Sequence, residues 1–271
     1  MRAGFVMRAL VFAAVLIVAG PAQAAEIEAL ITTAMKAVID ELVPSFERDT
    51  GHTVRVSYGP SGGVARRFIG GEPADVIVID SGALDDLIRQ RKVLPDPTGI
   101  ASTGIGICVR KGAPRPDVST PEALKRALLA AKSIAHTAPA GGGITAAHIM
   151  KLFERLGIAA EVTPKVKLAA GGPNGRLSVL VSSGEAEIGL QQVSELMSNP
   201  DVAVIGMLPA ELQQITTYSA GITASAKKAE AAKALIKALT APAAAPIFKA
   251  KGLEPLWVGL ANGSDPKWPS R

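Results

Sequence analysis

Residues 52–70 read HTVRVSYGPSGGVARRFIG. His52–Tyr58 is rich in β-branched residues and reads as a strand, while Val64–Gly70 carries a helical period. Between them sits the turn Gly59-Pro60-Ser61-Gly62-Gly63. The same succession of strand, short turn and helix recurs along the chain. Further strands are expected at Val76–Ile79, Gly104–Val109, Ser133–His136, Val166–Leu168, Ile188–Gln191, Ala203–Ile205 and Thr216–Thr223. Helices are expected at Thr33–Asp49, Leu84–Arg91, Pro121–Ala130, Thr145–Leu156, Leu177–Ser183 and Ala229–Leu239. Thr120-Pro121-Glu122 is a helix start, with a capping hydroxyl followed by proline at the first helical position. Such alternation predicts an α/β fold built from βαβ units around a parallel sheet.

Composition narrows the class. The chain has 271 residues, 48% of them hydrophobic and 20% charged. These values exclude a disordered chain, a collagen-like repeat and a small disulfide scaffold. The length suits one large domain or two compact lobes. Aromatic residues make up 4%, so stacking on bases or sugars is not the main mode of binding. A formal charge of +5 without a long basic stripe gives no argument for nucleic acid.

The mean hydropathy of +0.28 owes part of its value to the N-terminus. Arg2 and Arg8 precede the apolar run Ala9–Ala19, and Ala22-Gln23-Ala24 has the small-x-small pattern of a signal peptidase site. Residues 1–24 therefore read as a cleaved secretory signal, too short in its apolar run to span a bilayer. No cysteine follows to carry a lipid anchor, and no second apolar run approaches the length of a membrane span. Cys108, the single cysteine, lies in the apolar run Ile105–Val109 and reads as a buried thiol. The expectation is a periplasmic protein that is not membrane-inserted after cleavage.

Four turns stand just before helices: Leu30–Thr33, Gly59–Gly63, Ala138–Gly143 and Gly171–Gly175. A helix start carries unpaired N–H groups and about half a positive charge. Glycine lets a ligand approach that backbone, and Ser or Thr adds a hydroxyl donor. Several such starts converging at the carboxyl ends of strands make an anion cleft that needs no Lys or Arg. Gly59–Gly63 also satisfies G-x-S-x-G, and Asp80 and His148 are formally available to complete a hydrolase triad. An early serine flanked by Pro60 fits an anion-binding hydroxyl better. His52, His136 and His148 have no metal-ligand spacing, and no G-K-[S/T] follows any turn, so no metal or cofactor is expected.

Thr32-Thr33-Ala34-Met35, Ser57–Arg66 (SYGPSGGVAR), Gly71–Asp75 (GEPAD), Pro139–Ile144, Gly184–Leu190 (GEAEIGL) and Ala245–Gly252 together resemble the periplasmic molybdate-binding proteins of ABC importers. The resemblance implies a type II periplasmic binding-protein fold with two α/β lobes. Lobe one would comprise residues 25–103 and 220–256 and lobe two residues 104–219, while residues 257–271, rich in Gly, Pro, Asn and Ser, read by composition as a loose tail. It implies a monomer that captures a small anion and works with an ABC permease. By position, the ligand would be held by Ser61 and Gly62, by Ala140 or the glycines up to Gly143, and by Asn174. Where the family has a first binding serine this chain has Leu30, with Thr32 and Thr33 beside it; where it has a binding tyrosine, this chain has Gln192.

Gln191–Leu196 (QQVSEL), Ile205–Gln213 (IGMLPAELQ) and Thr217–Gly221 (TYSAG) are also similar to a periplasmic branch that contains aconitate isomerase. That likeness implies a carboxylate ligand and, as the alternative function, proton transfer interconverting cis- and trans-aconitate. The candidates for moving the proton are Tyr218, Glu195, His148 and Ser61, with Arg176 and Arg66 as partners for a carboxylate.

Overall fold

The computed structural model describes residues 24–139, 144–170 and 176–259. Its first sheet contains β1 (Glu26–Thr32), β2 (Thr53–Gly59), β3 (Val76–Asp80), β4 (Thr98–Thr103), β10 (Thr216–Ile222) and β11 (Glu254–Pro255). They lie in the order β11-β4-β10-β3-β1-β2. The second sheet contains β5 (Ile105–Arg110), β6 (Ile134–Thr137), β7 (Val166–Ala169), β8 (Ile188–Gln192) and β9 (Val202–Met207), ordered β7-β6-β8-β5-β9.

Both sheets are mixed, which corrects the expectation of a parallel sheet. β1 runs parallel to β2 and β3, and β6 runs parallel to β7 and β8. β10 is antiparallel to β3 and β4, and β5 is antiparallel to β8 and β9. The cause is the crossing between sheets. β4 passes through Gly104 into β5, and the chain comes back from β9 to β10. Outgoing and returning strands lie side by side, so they must run in opposite directions. β10 pairs along its whole length with the first sheet.

Each sheet is covered on both faces, and the alternation of side chains along a strand assigns the faces. In β3, Val76 and Val78 face α1 (Lys36–Thr50), α9 (Ala229–Leu239) and α10 (Ala245–Ala250), packing with Ile39, Leu235 and Phe248. Ile77 and Ile79 face α2 (Ser61–Ile69) and α3 (Ser81–Arg89), packing with Val64, Phe68 and Leu84. In β5, Ile105, Ile107 and Val109 meet α4 (Pro121–Ala130) and α5 (Ile144–Arg155). Cys108 turns the other way, toward α7 (Leu177–Ser182) and α8 (Val193–Leu196). It is fully buried, and burial pushes its thiol up to about 12, which leaves it inert.

Sequence signals placed some elements well. α4 and α9 have the expected bounds, and Thr120 caps α4 by accepting the Ala123 N–H at 3.1 Å. Other elements lacked a signal. The expected turn at Leu30–Thr33 is mostly strand, since β1 continues to Thr32 and a single 3-10 turn, Thr33–Met35, follows. β4 (TGIAST) has small residues and little pattern, and its pairing with β10 is what makes it a strand. The tail is not loose at its start: Trp257 packs edge-on against Phe248 with ring centroids 5.0 Å apart. The signal segment lies outside the described residues except for Ala24, and so does the tail beyond residue 259.

Candidate functional site

The elements that start a helix after a strand bring polar groups together. β1 ends in Thr32 and leads to Thr33, and β2 leads through Pro60 to Ser61 at the start of α2. In the second lobe, β6 ends in Thr137, α5 opens with Ile144 and Thr145, and β8 ends in Gln191 and Gln192 before Glu195 of α8. With Tyr218 of β10, these residues line one small cavity of about 20 Å³ bounded by both lobes. No Lys, Arg or His belongs to its described wall.

Hydrogen-bond accounting shows which groups are committed. The Ser61 hydroxyl donates to Thr32 Oγ1 at 3.1 Å and accepts the Asp80 backbone N–H at 3.2 Å. Thr145 Oγ1 donates to Gln191 Oε1 at 2.9 Å, and Gln191 Nε2 donates to Thr137 Oγ1 at 2.5 Å. Tyr218 donates to Gln192 Oε1, and Gln192 Nε2 donates to Thr216 Oγ1 at 3.2 Å. Thr32 and Thr137 thus accept a bond and retain a hydroxyl proton to give. Thr33 Oγ1 is buried with no partner among the described residues. The first N–H groups of α2, at Ser61, Gly62 and Gly63, are unpaired by helix geometry. The wall is an array of donors.

Its acid is Glu195. Enclosure by the walls pushes this carboxyl up to about 7, against the opposing pull of Arg176. Tyr218 is held protonated: burial and the nearby Glu195 and Asp80 carboxylates raise it well above the ordinary phenol range.

Of the residues expected from the sequence, Thr32, Thr33, Ser61, Gln192, Glu195 and Tyr218 share this cavity. Gly62 is the next residue of α2 and is not part of the wall. Ala140, Gly143 and Asn174 lie outside the described residues, as does the rest of the turn at 171–175. Arg176 stands behind Glu195, its Nη1 donating to Ser198 Oγ at 3.2 Å. Arg66 is exposed on α2. His148 is bonded through Nε2 to the Leu212 carbonyl at 2.8 Å and does not line the cavity, so it fastens α5 to the 3-10 turn Ala210–Leu212 within the second lobe. With Ser61 bonded to Thr32 and Asp80, no Ser-His pair forms and the hydrolase arrangement is absent among the described residues. Thr137, Thr145 and Gln191 were not foreseen. Thr145 had a signal, a hydroxyl opening the helix after three glycines; Thr137 and Gln191 had none.

Two α/β lobes joined by crossing strands, with helix starts of both lobes around one polar cavity, define a ligand-enclosing protein. The chain belongs to the bacterial extracellular solute-binding proteins, a family that matches residues 27–254. It is 33% identical over 224 residues to an aconitate isomerase from a Pseudomonas species, covering 80% of this chain and 83% of that one. It is 30% identical over 241 residues to a molybdate-binding protein of Azotobacter vinelandii, covering 85% and 90%. The solved Azotobacter vinelandii periplasmic molybdate-binding protein superposes with a TM-score of 0.69 at 21% identity, covering 84% of this chain and 98% of that one. The fold is the type II periplasmic binding-protein fold.

Proposed function

We propose that this chain is a periplasmic solute-binding protein that captures a small anion between its lobes and presents it to an ABC permease. The observation that supports this reading is the cavity wall, with free hydroxyl donors at Thr32, Thr33 and Thr137 and no cationic side chain. Donors fixed by the fold stabilise an anion without the side-chain entropy cost of ordering Lys or Arg. A ligand bridging Thr32 and Ser61 on one lobe to Thr137 and Gln191 on the other holds the lobes together, and that closed form is the one a permease recognises. Leu30, Gln192 and the acid at Glu195 favour an organic carboxylate over a molybdate-like oxyanion.

Thermal unfolding of residues 25–271 against molybdate, tungstate, sulfate, phosphate, citrate, tricarballylate and both aconitates tests the reading. A ligand at 100 times its Kd adds about 2.7 kcal/mol. For a chain of this size the midpoint then rises by about 5–10 °C. Tricarboxylates alone should produce the shift. A shift with molybdate and tungstate alone overturns the carboxylate preference, and no shift with any anion overturns the capture reading.

A second reading, an isomerase acting on aconitate, is favoured by one observation: Glu195 in the wall is held near neutrality and so can both take and give a proton. Isomerisation by this route removes a proton from the methylene carbon, spreads the electron pair across the double bond toward a carboxylate, and returns a proton to the far carbon. The donors of the wall would stabilise the charge that develops. Proton NMR of trans-aconitate with catalytic amounts of protein decides between the readings, since a pure binder leaves the spectrum unchanged.

A further inference from the structure

Glu195 is the one carboxyl of the described wall. Its carboxyl has no hydrogen-bond or ion-pair partner among the described residues; the bond formed there, from Ser198 Oγ at 2.6 Å, goes to its backbone carbonyl. Apart from Arg176 at the start of α7, the elements packed around α8 supply no compensating charge. β8 (IGLQQ), β9 (VAVIGM), α7 (LSVLVS) and the turn Thr33–Met35 contain no ionisable side chain. β5 has Arg110, exposed at its far end, and Cys108, which faces α7 and α8 but is held as a neutral thiol by burial. Residues 140–143 (AGGG) and 171–175 (GGPNG) contain no ionisable side chain either. The groups that face Glu195 are Arg176, whose Nη1 is occupied by Ser198, and Tyr218, whose proton is given to Gln192, with Asp80 beyond it.

An ionised Glu195 offers only lone pairs, and so does a carboxylate ligand. The two repel in a cavity whose described wall holds no cation, the pull of Arg176 from outside that wall being outweighed by burial. A protonated Glu195 offers a donor in the same place. We propose that Glu195 carries a proton when the cavity holds no ligand and donates it in a hydrogen bond to a carboxylate ligand, so that capture is coupled to protonation of this one side chain. The proton is not lost: it lies between an oxygen of Glu195 and an oxygen of the ligand carboxylate, while Thr32, Thr33 and Thr137 donate to the ligand's other oxygens. The raised proton affinity of Glu195 agrees with this assignment. The inference rests on the anion-capture reading and names the chemistry of its ligand, a small carboxylate.

The test has two arms on the mature chain. Carboxyl carbon-13 NMR without ligand, with the Glu195 signal assigned by Glu195→Gln, should show it titrating near pH 7. Titration below about pH 5, in the ordinary carboxylate range, overturns the proton assignment whatever the protein binds. Calorimetry with tricarballylate between pH 7 and 9 should show affinity falling about tenfold per pH unit in the wild type. Glu195→Gln, which keeps an N–H donor but cannot ionise, should bind with an affinity independent of pH. Equal slopes in the two proteins overturn the coupling. Absence of tricarballylate binding at every pH removes the carboxylate reading and the coupling together, while the NMR arm still reports on Glu195 itself.

Discussion

Tyr218, on the first sheet, donates its phenolic proton to the side-chain oxygen of Gln192, the last residue of a strand in the second sheet. Both residues are buried, and both line the cavity. Gln192 stands where the molybdate-binding resemblance puts a tyrosine. Here the phenol comes from the opposite lobe, and the two side chains together tie the sheets at the cavity floor.

Tyr218→Phe keeps the ring and removes that tie. It leaves Gln192 Oε1 buried without its donor, at a cost of about 1–3 kcal/mol. Chemical denaturation should show the midpoint falling with an unchanged m-value. An unaltered midpoint would mean that water replaces the phenol.

Two substitutions separate binding from folding. Thr33→Val removes a buried hydroxyl with no partner among the described residues, so stability without ligand should hold or rise. Anion affinity should nevertheless fall by about 1–3 kcal/mol in calorimetry. Ser61→Ala should lose affinity by a similar amount and also some stability, because its hydroxyl bridges Thr32 and the Asp80 N–H. If Thr33→Val binds as the wild type does, Thr33 does not touch the ligand.

The protein without ligand should lose stability as pH rises from about 4.3 to 7 through Glu195. Its folded carboxyl is raised to about 7 against an ordinary value near 4.3. In that window the folded chain keeps a proton that the unfolded chain releases, so unfolding gains as pH climbs. Burial lowers the affinity of His136 for its proton, which acts in the opposite sense. The difference between wild type and Glu195→Gln isolates the carboxyl, and thermal midpoints across pH 4–8 should converge at the acid end. A constant difference would contradict the assignment.

Gly252 joins the lobes by close approach. Its φ is +73°, its carbonyl accepts from Thr103 Oγ1 at 2.9 Å, and an added Cβ would lie 2.6 Å from Val193 and 2.8 Å from Met197 Sδ. Gly252→Ala combines left-handed backbone strain with overpacking against α8, at a cost of about 2–4 kcal/mol. Differential scanning calorimetry should show a midpoint lower by several degrees.

Much of the fold was legible because its signals are local. Thr120-Pro121 marks its helix within four residues, and β3 declares itself by four consecutive buried β-branched side chains. β4 was not legible, because TGIAST becomes a strand only through β10, far along the chain. Nor was the mixed character of the sheets, since strand direction depends on how the chain crosses between lobes.

The same division runs through the site. Thr32, Thr33 and Ser61 could be read because hydroxyls at helix starts are recognisable in a short window. Gln191 meets Thr137 across 54 residues and Gln192 meets Tyr218 across 26, distances over which no periodicity carries information. The sequence alone indicates most of the strands and helices, though not β1, β4 or β11, and several donors at the turns between them, because these follow from backbone preference and side-chain period. Tertiary packing decides that Glu195 faces the cavity and His148 a backbone carbonyl. It also raises the proton affinity of Glu195, because its burial depends on groups assembled from both lobes.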